Sequence, residues 1–266
     1  MISRRTALYL FAGAPLLAAG AAGAVREPVI PRLMSASRAY STVSERIDFI
    51  SRKLLGVRYQ AHTLIGGPHK KEQFVLRDDA FDCVTYCEAV LAAAIAKDFA
   101  DYPKVLQRIR YAKDEIRWAE RNHDFAQWNR NAVEKKICRP VIITPGATVE
   151  KALSGGELGK RRYSFAAVPT RVMLANPKAL QAGDVIGFVS RRPDLDFFHT
   201  GFIAFGKRGT LMLRHASQSH GRVVDENMMS FAATTGVQYV TLLRAEEPAP
   251  RAYAAAALPL GCTSAV

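Results

Sequence analysis

The pattern of apolar and polar positions changes character partway along this chain. In the first half the period is helical. Val43, Ile47, Ile50, Leu54 and Leu55 fall on one face, which predicts an amphipathic helix closed by Gly56. From Val84 to Ala96 almost every position is apolar, the pattern of a helix buried on most sides. Tyr102-Pro103 opens a further helix with Val105, Leu106 and Ile109 turned inward, and Gly66-Gly67-Pro68 reads as a turn. Phe74-Val75-Leu76 reads as a short strand leading into the apolar helix. From Gly183 onward the texture becomes short β segments separated by glycines: Asp184–Val189, Phe202–Phe205, Thr210–Leu213, Val223-Val224 and Val237–Leu243. Residues 139–170 are rich in proline and glycine, with Val141–Thr144 as a strand and Leu153–Gly159 as a loop. They read as an irregular insertion shaping a cleft. Helices first and an antiparallel sheet second is an α+β order.

The two ends fall outside this pattern. Ser3-Arg4-Arg5, an apolar stretch from Ala7 to Ala21 and the small residues Ala22-Gly23-Ala24 have the form of an export signal over residues 1–24. The paired arginines fit twin-arginine or ordinary export, and an uncleaved anchor is a third reading. The expected location is therefore the periplasm or cell envelope, with no stable membrane insertion once the signal is removed. Residues 25–42 read as a linker, 43–244 as one domain, and the Ala- and Pro-rich 245–266 as a flexible tail.

Composition narrows the function. The chain has 266 residues, 49% of them hydrophobic, enough for one well-packed core. The net charge of +13 is spread along the chain with no nucleic-acid motif. A basic exported protein is instead expected to attract an anionic envelope polymer or peptide carboxylates, with a merely solvated basic surface as the equal alternative. Four cysteines stand at 83, 87, 138 and 262. Cys83 and Cys87, one helical turn apart, are poorly placed for a bridge. No Cys-x-x-Cys pair and no helically spaced histidines suggest zinc, so neither a metal nor a cofactor is expected.

The chemistry concentrates at Asp82-Cys83. Asp82 is a good N-cap, which puts Cys83 in the first turn of the apolar helix. There the helix dipole and unpaired N–H groups favour thiolate, the expected nucleophile; a buried structural cysteine is the plainer alternative. Downstream, His199 stands at a strand entrance and His215 at the end of the next strand. One could take the thiol proton while the other orients it. The stretch from Trp118 to Asn129 is dense in aromatic and hydrogen-bonding side chains. It reads either as helix core or as a substrate wall, with Asn122 and His123 as polar contacts and Trp128 as a flat surface for a sugar or peptide.

These motifs, taken together, resemble the N-acetylmuramoyl-L-alanine amidase-like family, a group within the NlpC-type, papain-like cell-wall hydrolases. The resemblance is carried by Phe81–Glu88, Ile109-Arg110-Tyr111, Arg121–Phe125 with Trp128, Gly183-Asp184, Leu195-Asp196 with His199 and Gly201, His215-Ala216-Ser217, Val223-Val224-Asp225, and the final Gly236 to Arg244. It runs from about Ser44 to Arg244. It implies a papain-like fold with the cysteine on the helical side and the histidines on the sheet. It implies hydrolysis of the amide between N-acetylmuramic acid and L-alanine in peptidoglycan fragments (muropeptides). Cys83 would be the nucleophile, His199 the base and His215 the orienting member, with Tyr111, Asn122, His123, Trp128 and Asp196 on the substrate side. The chain departs from the family at Tyr86-Cys87, where Phe-Val is usual, and at Asp124, where an aromatic is usual. Cleavage of the D-glutamyl–diaminopimelate bond, or an envelope-binding module without catalysis, are the alternative readings.

Overall fold

A computed structural model describes residues 28–248. The export segment and Cys262 lie outside the described residues.

The chain enters through α1 (Val29–Ser37) and α2 (Val43–Lys53), then β1 (Arg58–Tyr59), a hairpin of β2 (Ile65–Gly67) and β3 (Lys70–Gln73), and β4 (Ala80–Phe81). Next come α3 (Cys83–Ile95), α4 (Tyr102–Arg110), α5 (Phe125–Glu134), β5 (Cys138–Pro140), β6 (Ala147–Leu153), β7 (Arg161–Pro169) and α6 (Thr170–Ala175). The last part holds β8 (Val185–Val189), β9 (Phe197–Phe205), β10 (Leu211–Ser217), β11 (Arg222–Asn227), α7 (Met228–Thr235) and β12 (Tyr239–Ala245).

One large sheet runs in the order β4-β1-β11-β10-β9-β8-β12-β7-β6, with β5 added beside β12. Every pairing is antiparallel except β1 with β4. Helices cover both faces. Val185, Val189, Phe202 and Val223 pack toward α1–α5, while Ile186, Phe188, Ile203 and Leu213 pack toward α6 and α7. This is why β8 is buried along its whole length and reads as a continuous apolar run.

The axis of the helical layer is α3. A reciprocal capping box fixes its start: Thr85 N–H donates to Asp82 Oδ1 at 2.8 Å and Asp82 N–H donates to Thr85 Oγ1 at 3.0 Å. Thr85 through Ala94 are all buried. The four alanines among them let α2, α4 and β9 approach closely, and alanine is also the strongest helix former. Beneath this helix the ion pair of Glu88 with Arg110, at 2.7 Å, is almost fully buried. Arg110 also donates to Val75 O at 2.8 Å and lies over the Phe74 ring.

The structure corrects four expectations. The supposed linker contains α1, because Ile30 and Met34 form one apolar stripe that buries against the core; Pro31 sits in its first turn, where no N–H partner is needed. The supposed irregular insertion is the long hairpin β6–β7, which extends the sheet from β12. Within it, Val141–Thr144 is not a strand; the pairing falls one step earlier, on β5. Phe74–Leu76 is irregular, with the strand at Lys70–Gln73, and the Val75 carbonyl serves Arg110 rather than a ladder.

Candidate active site

Cys83 is the first helical residue of α3, and its neighbourhood is set by two short strands. Tyr59 and Phe81 pair in parallel across β1 and β4, and the chain then turns through Asp82 into the helix. Burial, and after it the nearby Cys83 and Asp82, push the Tyr59 phenol above its ordinary value. On the other side of Cys83 lies β9, where the backbone N–H of Thr200, one residue beyond His199, is oriented to favour the sulfur's anion. Cys87, one turn deeper, fills the core with its Sγ 3.8 Å from Thr200 Oγ1.

The expected thiolate is not what this pocket favours. The N–H groups of Thr200, Val84 and Cys83 itself do favour the anion. Burial and the adjacent Asp82 carboxylate oppose them and win, pushing the Cys83 thiol up to about 12. Cys83 therefore rests as a neutral thiol, half-buried and densely surrounded.

The two histidines stand side by side on the α7 face of the sheet. His199 Nε2 lies 2.6 Å from His215 Nδ1, and Phe188 and Phe231 flank His199 with ring centroids 6.2 and 5.7 Å away. This apolar casing holds both imidazoles neutral, His199 down to about 3 and His215 down to about 4. His215 Nε2 lies 3.3 Å from Glu226 Oε2, outside hydrogen-bond geometry but with the carboxylate on its side. A proton on Nε2 of His215 is the arrangement that carboxylate favours. His215 Nδ1 is then an acceptor, His199 Nε2 carries the donated proton, and His199 Nδ1 is left bare as a base. Arg214, the neighbour of His215 on the opposite face, is almost fully buried and bonded to Asp225 and Asp48, which pins β10 against α2.

Residues 49–237 match the model of N-acetylmuramoyl-L-alanine amidase-like proteins. The chain belongs to that family. Its fold is shared with an N-acetylmuramoyl-L-alanine amidase from Bacteroides uniformis, at TM-score 0.68 and 22% identity, covering 78% of this chain and all of that one. It is also shared with a Legionella pneumophila protein from a family of unknown function, at TM-score 0.72 and 20% identity, covering 82% of this chain and 94% of that one. No curated protein sequence matches the chain. Family membership gives the protein an amidase-like, peptidoglycan-related role in general terms.

The remaining motif residues of this amidase-like chain are tied into the framework. Trp128 is 1% exposed and stacks on Phe125 at 5.1 Å, so its ring faces the core and offers no surface to a sugar. Tyr111 is wholly buried and donates to Glu72 at 2.8 Å. Asn122 donates to Ile109 O at 3.0 Å and accepts from Asn131. His123 is half-buried, bonded to Trp118 O at 2.6 Å, and burial lowers its pKa. Asp196 accepts from Ala126 N–H at 2.7 Å and from Phe197 N–H at 2.8 Å, tying the first turn of α5 to β9. Thus His199 and His215 meet directly, while these five are bonded to other residues of the scaffold.

Two residues that sequence reasoning missed join the group: Tyr59 and Glu226. A two-residue strand has no periodicity to reveal Tyr59. Glu226 had a signal in the alternation Val224, Glu226 along a strand beside His215. Among the described residues no cluster of three or more side chains suited to a metal ion is found, and no helix is long and apolar enough to cross a membrane.

Proposed function

We propose that the protein is a cysteine-dependent amidase of the papain-like, NlpC type. It hydrolyses the amide between N-acetylmuramic acid and L-alanine in peptidoglycan or its muropeptides. The observation that carries this reading is the His199–His215 contact at 2.6 Å, on the strand whose next residue, Thr200, turns its backbone N–H toward the Cys83 side. Family membership supports the substrate class.

In this mechanism the neutral Cys83 thiol gives its proton to His199 Nδ1 as the sulfur attacks the lactyl carbonyl. A neutral resting pair means the charge separates only as the C–S bond forms, where the developing imidazolium is steadied by His215 and, through it, Glu226. The oxyanion is met by the backbone N–H of Cys83 at the helix start and by the Tyr59 hydroxyl. His199 then protonates the alanine nitrogen as the C–N bond breaks. Water, deprotonated by the same histidine, hydrolyses the thioester and restores the thiol. The N-terminal signal would deliver the enzyme to the envelope, where this substrate is found.

The test is mass spectrometry of purified muropeptides incubated with wild type and with Cys83→Ala. Release of the peptide beginning at L-alanine, by wild type only, is the expected result. Cleavage inside the peptide would replace the substrate bond by the D-glutamyl–diaminopimelate one. An equally active Cys83→Ala protein would overturn the cysteine mechanism.

A further inference from the structure

The sheet register sets one row of side chains beside His199. Ser217 on β10 lies directly opposite Arg222 on β11, and Arg222 directly opposite Arg58 on β1. Directly opposed residues share a face. Tyr59 and Val223 pack toward α1–α5, so their strand neighbours Arg58 and Arg222 point to the other face, the one that carries His199 and His215. The His199–His215 contact keeps β9 beside β10 at this end of the sheet. Strands about 4.8 Å apart then make the row from His199 to Arg58 roughly 15 Å long. That is about the reach of four extended peptide residues.

The row is cationic and open. Arg58 and Arg222 are both exposed. Asp79 is held by two bonds from Arg77, at 2.9 and 2.8 Å, and reaches Arg58 only at 3.7 Å. Among the described residues no carboxylate pairs with Arg222. Like charges directly across a β ladder work against folding; Arg58 is only partly offset, by Gln60 Oε1 at 3.0 Å and the more distant Asp79, and Arg222 has no carboxylate among the described residues to offset it. At the near end His220 is exposed and anchored through its Nδ1 to the buried Ser217 at 2.9 Å, while the next carbonyl, Gly221 O, accepts from Tyr59 N–H at 2.8 Å. The imidazole edge of His220 is thereby fixed at the rim that Tyr59 shares with the thiol.

We propose that Arg58, Arg222 and His220, with Ser217, form a trough that binds the free carboxylates of the peptide half of the substrate. This rests on the amidase reading. The amide-linked sugar half carries no carboxylate, so anion recognition assigns the trough to the peptide and directs the sugar to the opposite side of the thiol. These residues are specificity determinants, remote from the bond that breaks.

The probe is a muramyl peptide carrying free carboxylates, set against the same compound with those carboxylates amidated. Binding of each to the Cys83→Ala protein is measured by titration calorimetry. The free acid is expected to bind about tenfold more tightly at low salt, and that preference should vanish in the Arg58→Gln/Arg222→Gln background. The double variant should also melt no lower than its parent, because a repulsive pair has been removed; a purely structural role for the arginines predicts the reverse. Equal binding of the two probes, no binding of either, or a preference that survives the double substitution would overturn the trough. Product analysis of the wild-type enzyme reports separately on the bond cleaved. A protein that prefers the free acid but releases no L-alanyl peptide keeps the trough and loses the amidase reading.

Discussion

His199 and His215 meet edge to face, at 83° between ring planes, with 2.6 Å between Nε2 of the first and Nδ1 of the second. One imidazole therefore fixes both the tautomer and the tilt of the other. Replacing His215 by Ala should leave His199 present but free to turn, lowering kcat by about a hundredfold with little change in KM. His215→Gln, which can still accept at this position, should recover part of the loss. A KM effect with unchanged kcat would remove His215 from the orienting role.

The same pair makes stability depend on pH. Both rings titrate well below their ordinary 6.5, His199 at about 3 and His215 at about 4. An unfolded histidine takes a proton near 6.5, so between 6.5 and about 4 the unfolded chain binds more protons than the folded one. The stabilisation is complete above pH 6.5 and is lost as pH falls through this window, by up to about 1.4 kcal/mol per histidine per unit. Urea midpoints at pH 7, 5.5 and 4.5 should fall steeply for wild type and less steeply for His199→Gln/His215→Gln. Parallel slopes would mean that the folded state already accepts these protons.

Tyr59 offers a cleaner probe of the transition state. Its hydroxyl makes no hydrogen bond to protein among the described residues, so Tyr59→Phe should fold and melt like wild type. If the phenol meets the oxyanion, kcat should drop by about ten- to a hundredfold, the usual cost of one such donor. Unchanged kcat would leave the helix-start N–H groups as the sole donors.

Beneath α3, the Glu88–Arg110 pair is a structural commitment. Arg110→Met strands a buried carboxylate and should cost about 3–5 kcal/mol. The double variant Glu88→Leu/Arg110→Met removes both charges and should cost clearly less. Chemical denaturation of both variants measures the difference, and additive losses would show that the charges do not act as a pair.

What the sequence made legible follows the strength of its local signals. The helix α3 could be read with its cap, because Asp82, Thr85 and the apolar run agree with one another. The strands β8 to β10 and β12 could be read in part, because each contains a short apolar stretch beside glycine or polar residues; β11 showed only as Val223-Val224, within a segment that is otherwise polar. The hairpin β6–β7 could not. Its alternation is filled with Glu150, Lys151, Arg161 and Arg162, and Lys151 turns inward to bond the carbonyls of Ser190 and Arg192, where a lysine is not expected. At the site, Cys83, His199 and His215 stood out by residue type and placement. The ionisation of Cys83 did not: the helix dipole and the adjacent Asp82 are visible in sequence, whereas the burial that outweighs the dipole depends on packing. The trough was hidden for a similar reason, since only register brings Arg58, Arg222 and Ser217 into line.

A thiol held neutral by its surroundings is also a thiol that keeps. Sulfenic acid and mixed disulfides begin from the thiolate, so a sulfur pushed up to about 12 presents oxidants with almost no reactive form. Cys87 and Cys138, buried close to the same layer, offer it no resolving partner in a disulfide here. Under the proposed cysteine mechanism, this pocket would give the nucleophile a long working life at rest, with its reactivity released only when a carbonyl arrives to accept the sulfur.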